Sequence, residues 1–170
     1  MESSFSEEYQ SMNWRGSTDV KDRVFSALVY IIALMYALPF GTYLLTQFPW
    51  LRNIIGPIVA PALAIYNLVP FAGIIIFFVL FLAVVRNPRV SHFLRFNTMQ
   101  TILLTIVLFL LQLAFNILAR PLGDSLIVQT LSNTVFIGIL GICGYSIVQS
   151  ALGRYAEIPS LSDAVYNQVR

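Results

Sequence analysis

At 170 residues, with 58% hydrophobic and only 11% charged residues, the chain is too apolar for a water-soluble domain, which carries about 25% charged residues. A net charge of +2 gives no footing for a nucleic-acid partner, and a single cysteine, Cys143, excludes an internal disulfide. The length allows one bundle with short connections and no separate catalytic domain.

Four stretches lack any Asp, Glu, Lys, Arg or His: residues 24–51, 53–85, 96–119 and 125–153, together 114 of the 170 residues. A helix needs roughly 20 apolar residues to cross the ~30 Å hydrocarbon layer, so each stretch is long enough. Helices of soluble proteins keep a charged face toward water, and these have none. The predicted fold class is all-α: a polytopic membrane protein with four transmembrane helices in residues 24–153.

Residues 1–23 are polar and contain Glu2, Glu7, Glu8, Asp19 and Asp22. A secretory signal would begin basic and a transit peptide would be poor in acids, so neither is expected. Thr18 or Asp19 can cap a helix that enters the membrane from Lys21. The first span is predicted over 24–45, with a stripe of Ser26, Tyr30, Ala33, Ala37 and Gly41. The second apolar run exceeds one helix. Pro57 and Pro61 interrupt it, which predicts an interfacial loop or half-helix over 51–61 and a span over 62–85. Within that span Pro70 removes a donor and crowds the Tyr66 carbonyl, which predicts a kink with Asn67 or a neighbouring helix satisfying the freed group.

The third span, 96–117, is two-faced. At about 100° per residue, Asn97, Thr98, Thr101, Thr105, Gln112 and Asn116 share one side, opposite Met99, Ile102, Leu103, Ile106, Leu110, Leu113 and Ile117. In the fourth span, 131–152, Thr134, Gly138, Gly141, Gly144, Tyr145 and Gln149 share a face. Small residues admit a neighbouring helix closely, and amides and hydroxyls bond across the contact, so these stripes are predicted to face the bundle interior. They serve either as packing contacts or as the polar lining of a path; no charged residue lies inside a span to support a proton-coupled pump. Residues 154–170 form the tail. There Ser160 and Asp163 resemble a capping box, and Leu161, Ala164, Val165 and Val169 fall on one side. A short amphipathic helix over 160–169 is predicted, lying on the membrane surface or docking on a partner.

Lysine and arginine favour the side of synthesis. Arg15, Lys21, Arg23, Arg86, Arg89, Arg95, Arg154 and Arg170 stand against Arg52 and Arg120, eight to two, which predicts both termini inside. Catalytic chemistry is missing. No nucleophile is paired with a base, no carboxylates pair within the membrane, and no Cys/His cluster suits a metal. His92, beside Arg89 and Arg95 in a basic connection, reads as a solvated or headgroup-facing residue. The expectation is a non-enzyme with no catalytic residue, cofactor or metal.

Residues 22–41 (DRVFSALVYIIALMYALPFG), 92–100 (HFLRFNTMQ) and 153–170 (GRYAEIPSLSDAVYNQVR) resemble blocks of the twenty-kilodalton subunit family of the chloroplast inner-envelope protein-import translocon (the TIC complex), in its cyanobacterial or plastid-encoded branch. The resemblance implies a channel or core subunit in preprotein translocation or membrane-complex assembly. Its implied partners are the lipid bilayer, further copies or other translocon subunits, and preprotein chains. The implied location is a cyanobacterial plasma or thylakoid membrane or the plastid inner envelope. The residues alone leave two alternatives, a small-solute or ion channel and a non-conducting scaffold.

Overall fold

The computed structural model describes residues 18–159 and 161–169, with residues 118–120 as backbone only. The polar segment 1–17, the Ser160 cap and Arg170 lie outside the described residues. Among the described residues every regular element is helical.

Asp19 starts the first helix, its carboxylate accepting the Val20 amide at 2.7 Å. Asp22 sits in the first turn, where the helix dipole favours an acid. This helix, α1 (Val20–Gln47), has 28 residues, about 42 Å at 1.5 Å per residue, and Pro39 lies inside it without ending it. Ser26, Tyr30, Ala33, Ala37 and Gly41 are all buried, because α1 is the central post against which α2, α4 and α5 pack.

After one residue, Phe48, the chain folds back as α2 (Pro49–Leu68), with Pro49 at the first helical position, where a missing N–H leaves nothing unpaired. The predicted loop or half-helix over 51–61 is instead part of this continuous helix. Pro57 and Pro61 are four residues apart, so both fall on one exposed face, while Ile55 and Val59 on the other pack against α1. The interruption comes later and is a full break rather than a kink. Val69 is extended (φ −107°, ψ 118°), as a residue before proline must be, and Phe71 adopts a left-handed conformation (φ 57°). The chain resumes as α3 (Ala72–Phe78), which runs on as a π-helical segment, Val79–Val85. Tyr66 meets Tyr36 midway along α1 at a ring separation of 5.8 Å, and the Val85 carbonyl is reached by Arg95. Thus α2 and α3 share one path across the bundle, and the predicted span 62–85 is split between them.

α4 (His92–Leu122) and α5 (Leu126–Ala151) complete the bundle. Ser125 caps α5, and the glycine conformation at Gly153 (φ 75°) closes it: the Gly153 amide bonds Ser150 O at 3.0 Å and the Arg154 amide bonds Gln149 O at 2.9 Å. A Cβ on Gly153 would meet Thr18 and Arg23, so α5 ends beside the start of α1. Among the described residues, four helices are by length and composition apolar enough to cross a membrane: α1, α2, α4 as far as Ile117, and α5.

The tail forms α6 (Leu161–Gln168), and its apolar side does not look outward. Val165 and Val169 pack with Val85, Phe96, Met99 and Ile102, and the Tyr166 ring meets Phe96 at 4.8 Å. The predicted membrane surface or partner is replaced by the chain's own α4 and π-helical segment.

Candidate functional site

Where the start of α1, the start of α4 and the end of α5 meet, the apolar core gives way to a buried polar layer. Tyr30, one turn beyond Ser26 on the inner face of α1, donates its hydroxyl hydrogen to Asn97 Oδ1 at 2.9 Å. Ser150 of α5 donates to the same oxygen at 3.1 Å. Gln100, one turn further along α4, donates from Nε2 to the Tyr30 hydroxyl and to the Ala156 carbonyl, both at 2.8 Å. Asn97 Nδ2 donates to Phe93 O at 2.9 Å, and Thr101 returns its hydroxyl to Asn97 O at 3.0 Å. Tyr30, Asn97, Gln100 and Ser150 are completely buried. The layer is uncharged, so its chemistry is positional: it fixes three helices and the chain after α5 in one register.

A second feature sits at the broken span. A cleft of about 590 Å³ opens between α3 and α4, lined by Tyr36, Tyr66, Phe71, Gly73, Thr105 and Phe109. A Cβ on Gly73 would stand 2.8 Å from the Tyr36 hydroxyl, so the missing side chain is what admits that tyrosine. Irregular backbone at membrane depth is tolerated where protein covers it or a cavity receives it, and here the break borders one.

The predicted stripes distribute unevenly over these features. On α4, Thr98 and Thr101 are buried at the polar layer, and Thr105 lines the cleft. Gln112 and Asn116 lie further along the helix and bond each other at 3.3 Å, with Asn116 exposed. On α5 the structure turns the predicted face outward. Thr134, Gly138, Gly141, Gly144 and Tyr145 are exposed, Gln149 is half-buried, and a Cβ on any of the three glycines meets nothing within 4 Å. The reason is that α5 carries a second face, on which small residues alternate with Phe136 and Ile139. α1 packs on that one, where Ser132, Phe136, Ile139, Cys143, Ser146 and Ser150 recur at helical spacing.

His92 is not a solvated residue. Its Nε2 donates to the Val169 carbonyl at 3.0 Å, leaving Nδ1 to accept from the Tyr155 hydroxyl at 3.1 Å, so it ties the tail to α4. Arg95 Nε donates to Val85 O at 2.8 Å and closes the end of the π-helical segment. The sequence carries no signal for these pairings beyond the nearness of the residues to the blocks quoted above.

The sequence model of the family described as "Chloroplast import apparatus Tic20-like" matches residues 5–165. The chain belongs to the Tic20 family. A "Tic20 family protein" of Synechocystis is 53% identical over 155 residues, covering 91% of this chain and 96% of that relative. "Protein TIC 20-v, chloroplastic" of Arabidopsis thaliana is 33% identical over 156 residues, covering 90% of this chain and 73% of that relative. "Tic20 family protein Ycf60" of the red alga Gracilaria tenuistipitata is 35% identical, covering 88% and 76%. With its four apolar helices, this Tic20-family chain is a multi-pass membrane protein of cyanobacterial or plastid membranes. The family is a membrane component of the chloroplast protein-import machinery. The three blocks that carry the resemblance converge on the polar layer: Tyr30 from the first, Asn97 and Gln100 from the second, Ala156 from the third.

Proposed function

We propose that this chain is a membrane subunit of a translocon-type assembly and takes part in the passage of preproteins. The observation that carries the reading is the family match over residues 5–165. The cleft beside the broken span supports it, being an opening at membrane depth on one flank of the bundle. In this reading both termini face the side of synthesis, as the arginine and lysine distribution favours. No catalytic step belongs to the reading. The test places single cysteines at Thr105 and Phe71 in a Cys143→Ser background, with Ile117 as a lipid-facing control, and photo-cross-links an arrested precursor. Adducts are expected from the two cleft positions and not from Ile117. A precursor that passes without adducts at either cleft position would set the reading aside.

A second reading concerns assembly, and the outward face of α5 favours it. Thr134, Gly138, Gly141 and Gly144 offer a flat surface on which a helix of another copy or of another translocon subunit packs closely.

A further inference from the structure

We propose that the groove between α1 and α2 binds one anionic membrane lipid, its headgroup on Arg52 and one acyl chain along α2. The groove has a volume of about 370 Å³ and runs from Arg52 at its mouth to Leu38 and Leu63 at its inner end. Its lining is mostly apolar, including Leu45, Ile55 and Val59; the hydroxyls of Thr42 and Thr46, which also line it, are bonded back to the Pro39 and Thr42 carbonyls, and a Cβ on Gly56 would meet nothing within 4 Å. Residues 52 to 63 advance about 16 Å along a helix, close to half of the ~30 Å hydrocarbon layer. That is the depth of a single leaflet, and so the reach of one acyl chain.

The mouth lies at headgroup level. Trp50 is 61% exposed and stacks edge-on with Phe48 at a ring separation of 6.5 Å, the amphipathic aromatic pair expected at a membrane interface. Arg52 is exposed, and its side chain has no hydrogen-bond or ion-pair partner among the described residues. It stands at the start of α2, where the positive end of the helix dipole adds to its charge, although Pro49 has no N–H and the Leu51 and Arg52 amides already bond the Phe48 carbonyl. A groove without other charges that ends in an unpaired arginine is complementary to a phosphate or sulfonate carried on a hydrocarbon tail. The inference rests on the membrane placement alone and not on what the chain translocates.

Trp50 reports on the site once Trp14→Phe makes it the single indole. The full chain is reconstituted into phosphatidylcholine bilayers containing equal fractions of brominated phosphatidylglycerol or brominated phosphatidylcholine, and quenching of Trp50 is measured. One arginine at an anionic surface corresponds to about fivefold enrichment, which sets the expected preference for the glycerol lipid. Arg52→Gln should abolish that preference and Arg52→Lys should keep most of it. Gly56→Leu, whose Cβ meets nothing within 4 Å, places a side chain in the groove and should reduce quenching by both lipids. Equal quenching in the parent chain overturns the proposal, as does a preference that survives Arg52→Gln. Displacement of the lipid by soluble glycerol phosphate at millimolar concentration would likewise overturn it, since a free anion would then suffice.

Discussion

The Tyr30 hydroxyl stands between Asn97, to which it donates, and Gln100, from which it accepts, and so links α1 to two successive turns of α4. Removing it leaves two buried amide groups short of a partner. Tyr30→Phe should lower stability by about 0.5–2 kcal/mol, the range of interhelical hydrogen bonds in membranes. Asn97→Ala should cost more, since Asn97 also receives Ser150 and bonds Phe93. The double variant should lose less than the sum, because both substitutions break the same bond. Unfolding in mixed micelles checks this; strictly additive losses would mean that the pair is not coupled.

Two glycines separate packing within the chain from packing between chains. A Cβ on Gly41 would lie 2.6 Å from the Phe136 ring, so Gly41→Ala forces α1 and α5 apart or the ring aside. A loss of about 1–3 kcal/mol is expected from such overpacking, with partial recovery in Gly41→Ala/Phe136→Leu. Gly141 meets nothing, so Gly141→Leu should leave the unfolding transition of the isolated chain within about 0.5 kcal/mol of the parent. In membranes it should reduce the mass of the assembly seen on native gels. An unchanged assembly would remove the outward face of α5 from any interface.

Phe71 holds a left-handed conformation (φ 57°) with its side chain 80% exposed. For an L-residue other than Asn or Asp that conformation costs about 1–2 kcal/mol, and glycine is free of the cost. Phe71→Gly should therefore raise the melting temperature in detergent. Pro70→Ala frees Val69 to become helical and should let α2 and α3 join, lowering the reactivity of a cysteine at Thr105 in the cleft. A melting temperature that falls with Phe71→Gly would show that its ring packs where the exposed surface suggests it does not.

What the sequence made legible follows from how strongly each feature constrains the chain. Spans of uncharged residues have one physical outcome in a bilayer, and the Asp19 cap and the buried stripe from Ser26 to Gly41 are local in origin. The direction faced by α5 is not local. Its serine–cysteine and glycine faces both offer small residues, and what decides is tertiary: Phe136, on the serine–cysteine face, packs against Gly41 of α1. Pro57 and Pro61 read as interruptions one at a time, yet together they share an exposed face and the helix continues. The tail was legible as an amphipathic helix, but periodicity names no partner, and the aromatic pocket of Phe96 and Met99 that receives Val165 comes from residues more than sixty positions away.

α6 is held by its apolar side and by His92, so burying a charge there should release it. Val165 is fully buried and its neighbour Ala164 is exposed, which gives a matched pair on one helix. Val165→Asp places a carboxylate against Phe96 and Ile102 and should cost about 3 kcal/mol, more than a helix of eight residues contributes alone. Ala164→Asp should change little. Brief trypsin treatment at Arg154 in an Arg170→Gln background, followed by detection of a C-terminal tag, distinguishes the two. The tag should be lost quickly from Val165→Asp, and from Ala164→Asp no faster than from the parent. Equal loss from both would mean that α6 is not held on α4 by Val165, and that its anchorage lies in the His92 contacts to Tyr155 and Val169 instead.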